Sequence, residues 1–283
     1  MARTLQEMQA LLRLLDEPET SHVRLIKQQL QRWPAEDLEA LRDLCLEEGE
    51  ARNHIRSVLE GLKFDALEAR WLQICRLSRV DLESALVVVA QTGPTGFDET
   101  EVHSRLSALA RRVGERLAGD RAFDTGLEAL AAVLHGEEGL RGNAADYYNP
   151  ENSYLPSVLR RRLGIPISLS SITIIVGQKL DLPICGIGTP GHFLCFYGDI
   201  SVPSGTFVDP FGGFARLSRA GIEDMIREGG HRPEPWMFAP VNEREIVART
   251  LRNLVALHRT QGRPAQADRL LRWLESLISH GRD

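Results

Sequence analysis

Lysine is scarce in this chain: only Lys27, Lys63 and Lys179 stand among 34 basic residues, the rest being arginine. That bias points to no function. The charge balance does exclude one class. With 34 basic and 39 acidic residues the net charge is −5, which argues against nucleic acid as the main partner, because a phosphate backbone calls for a cationic face. Long apolar runs are also missing. The Ala85–Ala90 stretch is uninterrupted, yet it is about a third of the ~18 residues that a membrane span requires. No membrane association is expected. The four cysteines, Cys45, Cys75, Cys185 and Cys195, include no closely spaced pair of the metal-knuckle or redox type, and a chain this long needs no disulfide staples. The eight histidines are scattered, without an HExxH or HxH grouping, so neither a metal nor a cofactor is expected. The first residues, MARTLQEMQALLRLLDEP, are interrupted by Glu7 and Asp16 and lack a small-residue cleavage site. They read as an amphipathic helix and not as a signal peptide. The expectation is a cytoplasmic protein with reduced, buried thiols.

What is present is a globular composition, 43% hydrophobic and 26% charged over 283 residues, long enough for about two domains. Residues 1–62 carry helical spacing. Leu5, Met8, Leu11, Leu12 and Leu15 recur on one face, Pro18 breaks the pattern, and Val23, Ile26 and Leu30 restart it. A further helix is expected after Pro34, with Leu38, Leu41 and Cys45 on one face. LESALVVVAQ is nearly all apolar and predicts a buried central helix. A loop at Gly93–Thr100 precedes a helix over about 101–117, with Leu106, Leu109, Val113 and Leu117 on one face. The segment Asn143–Tyr154 holds Tyr147, Tyr148, Tyr154, Asn143, Asn149 and Asn152 without a helical period. Such a loop either lines a site or simply connects elements.

From Gly164 the period changes. GIPISLSSITIIVGQKL places Pro166 where a first helical turn accepts it, with Leu169, Ile172, Ile175 and Val176 on an apolar face. LPICGIG, HFLCFYG and TFVDP are short, β-rich and bounded by Gly and Pro, and predict three strands. Ser218 can cap a short helix holding Ile222, Met225 and Ile226. A Pro-rich linker (Pro233, Pro235, Pro240) leads to a helical hairpin, about 243–261 and 264–280, turning at Gly262–Pro264. The expected domains are a helical region at 1–66, a mixed core at 67–240 and the hairpin at 241–283.

Three residues could do chemistry together. If the turn between the second and third strands is centred between Ile200 and Ser201, His192 lies opposite Asp209 on one sheet face, with Cβ atoms about 5 Å apart. A centre one residue later sets Asp209 opposite Leu194, diagonal to His192. Ser168, in the first turn of the helix before the strands, shares the side of Ile172, Ile175 and Val176 that should pack on the sheet. A hydroxyl, an imidazole and a carboxylate are the parts of a nucleophile–base–orienter set. Backbone N–H groups at a helix start could hold an oxyanion. Each residue has a structural reading as well: Ser168 as a helix cap, His192 and Asp209 as a structural pair, and Asp209 as the start of a turn.

The blocks NSYL (Asn152–Leu155), GIPISL (Gly164–Leu169), LDLP (Leu180–Pro183), PGHFL (Pro190–Leu194) and DPFGG (Asp209–Gly213) resemble the core of the transglutaminase-like superfamily, and more narrowly its SirB-like bacterial branch. Asp181 stands where the LGLP block has glycine. LLRLLDEPETSHVRLIKQQL resembles a HEAT-type helix pair. Leu251, Leu254, Gly262, Ala267, Leu271 and Leu274 resemble one tetratricopeptide-like pair, which cannot bury its own core and should dock on the main domain. The resemblance implies an α+β, papain/transglutaminase-like fold, a helix packed on a small antiparallel sheet with helical flanks. It implies a Cys–His–Asp triad whose histidine and aspartate fall on His192 and Asp209, the first of the two registers. The family cysteine falls on Ser168.

Two functions follow. One is a catalytically silent or weakly catalytic module that binds a protein or peptide through its helical flanks and a surface containing Asn149, Asn152, Tyr154, Pro190 and Gly191. The other is a hydrolase or acyltransferase acting on peptide, amide or ester substrates, with Ser168 as nucleophile, His192 as base and Asp209 as orienter. A cysteine beside His⁺ at a helix start ionises, whereas a serine gains nothing comparable. The resemblance implies that serine is usual in the SirB-like branch, and the helical flanks favour the binding reading, because solenoid-like helix pairs present binding surfaces.

Overall fold

The computed structural model describes residues 5–15, 21–30, 33–44, 49–93, 96–117, 123–199 and 205–281. The chain divides into two compact units, Met1–Arg70 and Trp71–Asp283.

The first unit contains α1 (Leu5–Leu15), α2 (Ser21–Leu30), α3 (Ala35–Asp43) and most of α4 (Glu50–Cys75). Met8 and Leu15 from α1, Val23 and Leu30 from α2, Leu41 from α3 and Ile55 and Val58 from α4 form one core. Each of the first two pairs is seven residues apart, two helical turns along one stripe. Leu5 falls off that stripe and stays exposed. Pro18 and Cys45 lie outside the described residues.

The second unit carries the chemistry-bearing residues. Asp81 opens α5 (Leu82–Ala90), its carboxylate accepting the Ser84 N–H at 2.8 Å, as an N-cap aspartate should. Only Ser84 of this helix escapes full burial. The stripe Leu106, Leu109, Val113 and Leu117 is buried along α6 (Glu99–Leu117). α7 (Phe123–Ala131) continues into a π-helical stretch, Ala132–Glu137. β1 (Arg141–Gly142), a 3₁₀ turn at Pro150–Asn152, α8 (Leu155–Arg161) and β2 (Leu163–Gly164) follow, with β1 and β2 paired in parallel.

α9 (Pro166–Gln178) is the central helix, packed on the sheet strands β3 (Ile184–Ile187) and β4 (Leu194–Tyr197). The apolar pattern predicts one buried face, but every residue from Pro166 to Gly177 is buried. Its polar residues are accommodated by bonding backward: the hydroxyls of Ser171 and Thr173 donate to the carbonyls of Ile167 and Leu169 at 2.7 and 2.9 Å.

The sheet continues with β5 (Thr206–Asp209) and β6 (Ala215–Leu217) and is antiparallel throughout. After α10 (Arg219–Glu228), which Ser218 caps through the Gly221 N–H, the Pro-rich linker is exposed up to Trp236 except for half-buried Pro233. Met237 and Phe238 are buried in a 3₁₀ turn, and β7 (Pro240–Val241) adds to β3, giving the order β6-β5-β4-β3-β7. Proline is tolerated there because β7 is an edge strand. α11 (Glu243–Thr260) and α12 (Pro264–Ser279) form the final hairpin. Asn242 and Glu245 make a reciprocal capping box at the start of α11, and α11 packs on α5 and α9. Trp273 of α12 stacks on Trp71 at 4.8 Å between ring centroids, and the Trp71 indole N–H donates to the Trp273 carbonyl at 3.0 Å. No described helix is long and apolar enough to cross a membrane.

The strand register differs from the one that the family resemblance favours. Cys195 pairs with Val208, Phe196 with Phe207 and Tyr197 with Thr206. Continued outward, that ladder sets Asp209 against Leu194 and not against His192, the second of the two registers. The turn between the strands lies outside the described residues.

Candidate functional site

His192 and Asp209 meet although they are not direct cross-strand partners. His192 precedes β4 by two residues, at the end of a turn in which Gly191 takes the left-handed conformation (φ +73°). Asp209 ends β5. A residue two places off the opposite position is a diagonal neighbour, within reach of a long side chain. His192 Nε2 lies 3.1 Å from Asp209 Oδ1. The approach is off the N–H direction, so Nε2 is buried without an aligned hydrogen bond. The same carboxylate oxygen accepts the Phe211 N–H at 3.0 Å, and the Phe211 ring stands edge-on to the imidazole at 6.0 Å. Asp209 is thus held from the backbone, and His192 is wedged between a carboxylate and a ring.

Ser168 sits in the first turn of α9 and is buried. Its hydroxyl accepts the Ile165 N–H at 3.0 Å, donates to the Asn152 carbonyl at 2.6 Å and lies 3.1 Å from the Ile165 carbonyl. This is one half of a capping box combined with a tie to the preceding 3₁₀ turn. Among the described residues no hydrogen bond joins Ser168 to His192. The structure therefore brings His192 and Asp209 together and binds Ser168 to the backbone instead.

The thiols offer no substitute nucleophile among the described residues. Burial pushes Cys185 and Cys75 up to about 11 and Cys195 higher still, so each is a neutral thiol at neutral pH. Cys195 is fully buried on β4 against the Ser170 carbonyl.

The remaining sequence candidates divide. Asn149 caps the 3₁₀ turn, accepting the Glu151 N–H at 2.9 Å and donating to Asp146 at 2.8 Å. Asn152, with no exposed surface, donates to the carbonyls of Asp146 and Tyr147 and accepts from Asn143 and Arg161. Tyr154 is buried with its hydroxyl 3.1 Å from His258 Nε2. Burial pushes this phenol up to about 12. These three side chains hold the loop together. Pro190 and Gly191 instead border open space around His192.

Two cavities flank the Gly191–His192 turn. One, of about 280 Å³, is bordered by Pro190, His192, Ile222, Met225, Ile226 and Glu228. The other, of about 270 Å³, is bordered by Tyr147, Ile167, His192, Phe193, Arg249 and Asn253. Tyr147 belongs to the aromatic segment singled out by composition. Arg249 and Asn253 lie one turn apart on α11, and nothing in their sequence context distinguishes them from other polar residues of an amphipathic helix. Among the described residues no group of three His, Cys, Asp or Glu side chains could hold a metal ion.

Residues 100–252 match the family model described as transglutaminase-like superfamily. A UPF0162 protein of Xylella fastidiosa is 37% identical over 150 residues, covering 50% of this chain and 52% of that protein. A UPF0162 protein of Pseudomonas aeruginosa is 30% identical over 190 residues, covering 65% and 67%. F-box only protein 21 of Mus musculus is 30% identical over 169 residues, covering 57% of this chain and 26% of its own length. The chain thus spans about half the length of the Xylella relative and about a quarter of the murine one. No solved structure matches it.

Proposed function

The chain belongs to the transglutaminase-like superfamily, and from that premise we propose that it is a protein- or peptide-binding module on an α+β transglutaminase-like core and not an acyl-transfer enzyme. The observation that carries this reading is the Ser168 hydroxyl. A hydroxyl has a single proton to donate, and that of Ser168 has two backbone acceptors, the Asn152 carbonyl at 2.6 Å and the Ile165 carbonyl at 3.1 Å, while the oxygen accepts the Ile165 N–H. To attack a substrate it would have to abandon these carbonyls, leave a buried backbone acceptor bare and pass its proton to His192. An activated serine is poised the other way, already donating to its base. The wider superfamily places a cysteine at this position, and serine cannot reproduce the ionisation of that thiol.

The alternative, a Ser168/His192/Asp209 hydrolase or acyltransferase, draws on the 3.1 Å contact of His192 with Asp209. A serine-directed fluorophosphonate separates the two. The wild-type protein is expected to stay unlabelled, like Ser168→Ala and His192→Ala. Labelling of the wild type that disappears in both variants overturns the binding reading. Ser168→Cys adds a geometric control: the new thiol is expected to react slowly with iodoacetamide at neutral pH, with no dependence on His192.

A further inference from the structure

Arg249 is a partly buried cation without a counter-ion among the described residues. Its Nη2 donates to the carbonyls of Thr189 and His192 at 2.8 and 2.7 Å, and the guanidinium lies 5.3 Å from the centre of the Phe193 ring. These bonds fix the side chain against the turn that carries His192. They use two of the five N–H donors of a guanidinium. Among the described residues no carboxylate pairs with Arg249. The acids nearest in sequence are engaged elsewhere: Glu243 with Arg79 and Gln178, and Glu245 in the cap of its own helix. Burial opposes the Arg249 charge most, Tyr147 acts the other way, and Arg252, on the same helix and of the same sign, opposes it least. Among the described residues no acidic side chain borders the cavity of about 270 Å³ that Arg249 faces.

The other walls suit an anion. Tyr147 and Asn253 supply neutral donors. The start of α9, at Pro166 and Ile167, forms part of the wall. A helix start carries partial positive charge, and since Pro166 has no N–H, that of Ile167 is the first this start has to offer. A buried charge lacking a partner is costly, and a bound anion offsets that cost. The geometry points to a carboxylate. With both Nη2 hydrogens held by carbonyls, Nη1 and Nε keep donors to offer it, and a single arginine with neutral donors balances one negative charge. The companion cavity, across Gly191 and His192, is floored by Ile222, Met225 and Ile226 and carries Glu228. It favours an apolar group and repels an anion, which sets the direction of the ligand.

We propose that the cavity between Tyr147, His192, Arg249 and Asn253 binds a carboxylate of a peptide ligand, with an apolar group of the same ligand across the Gly191–His192 turn. The proposal rests on the binding reading above and names its ligand chemistry. The carboxylate comes from a free chain end or from an aspartate or glutamate side chain.

Solution NMR of the full chain tests it with three probes: N-acetyl-glycyl-leucine, its C-terminal amide, and a capped leucyl-glutamate whose side chain is its only carboxylate. At least one acid is expected to shift the His192 ring and Arg249 side-chain resonances saturably, with the amide binding at least about tenfold more weakly, as loss of a charged hydrogen bond implies. The stronger of the two acids identifies the source of the carboxylate. Arg249→Gln should weaken that acid by at least about tenfold, and Arg249→Lys, which keeps the charge, by less. Equal binding of both acids and the amide, no saturable shift from either acid up to about 10 mM, or a folded Arg249→Gln that binds like wild type each overturns the proposal. If Arg249→Gln does not fold, the acid–amide comparison on the unaltered protein decides. Fluorophosphonate labelling of Ser168 would sink the non-catalytic reading and leave the acid–amide difference standing. Equal acid and amide binding would sink the carboxylate site with Ser168 still unlabelled.

Discussion

His192 Nε2 stands 3.1 Å from Asp209 Oδ1 along a diagonal of the β4–β5 ladder, and the Phe211 N–H holds the same oxygen at 3.0 Å. One carboxylate therefore serves two neighbours: it fixes the start of the Asp209–Gly213 turn and faces a buried imidazole nitrogen. Asp209→Ala removes both services and should cost about 1–3 kcal/mol, the usual effect of stranding buried polar groups. Asp209→Asn keeps an acceptor for Phe211 and should cost less. Urea denaturation of the two variants, compared at equal slope, checks the order.

Asp181 adopts a left-handed backbone (φ +54°) just after α9, where its N–H still reaches the Gln178 carbonyl at 3.2 Å. This is the position at which the LGLP block of the family resemblance has glycine. The left-handed conformation costs a residue with a side chain about 1–2 kcal/mol, and the greater freedom of glycine in the unfolded chain returns part of that. Asp181→Gly should therefore raise stability by about 1 kcal/mol or less. Thermal melting should show a small upward shift. A drop would mean that the Asp181 side chain holds the turn.

His258 is buried against Tyr154, and burial followed by the nearby Arg263 lowers its pKa. Protonation is therefore easier in the unfolded chain than in the folded one. Stability is undiminished above the unfolded value of about 6.5 and falls with acidification from there toward the lower folded value, where the unfolded chain binds more protons. Denaturation midpoints between about pH 7 and 5 should trace that slope. His258→Gln should flatten it. A slope unchanged in the variant would assign the effect to another group.

Much of the second unit was legible because its signals are local. Pro166 at the start of α9, Ser218 before α10 and Gly262–Pro264 between α11 and α12 each mark a boundary through their own backbone chemistry. The apolar runs that became β3, β4 and β5 needed no partner to be recognised. β6 and β7 are three and two residues long, too short to show alternation. Register was not legible, since it depends on a turn whose shape two sequence readings fit equally well. The role of Ser168 depends on the Asn152 carbonyl sixteen residues away, and no pattern announces which hydroxyl will bond to which carbonyl. Arg249 is the extreme case. Its position acquires meaning only from the carbonyls of Thr189 and His192, about sixty residues earlier in the chain.

Trp71 and Trp273 lie nearly parallel, 6° from coplanar orientation, with one indole at the end of α4 and the other on α12. Two indoles so close exchange excitation, and the pair should produce an optical signature that neither ring has alone: a split, two-signed band in circular dichroism. The protein thus carries its own gauge. If the terminal hairpin lifts away, that band collapses while the helical signal of both segments persists, so undocking can be watched without any attached dye.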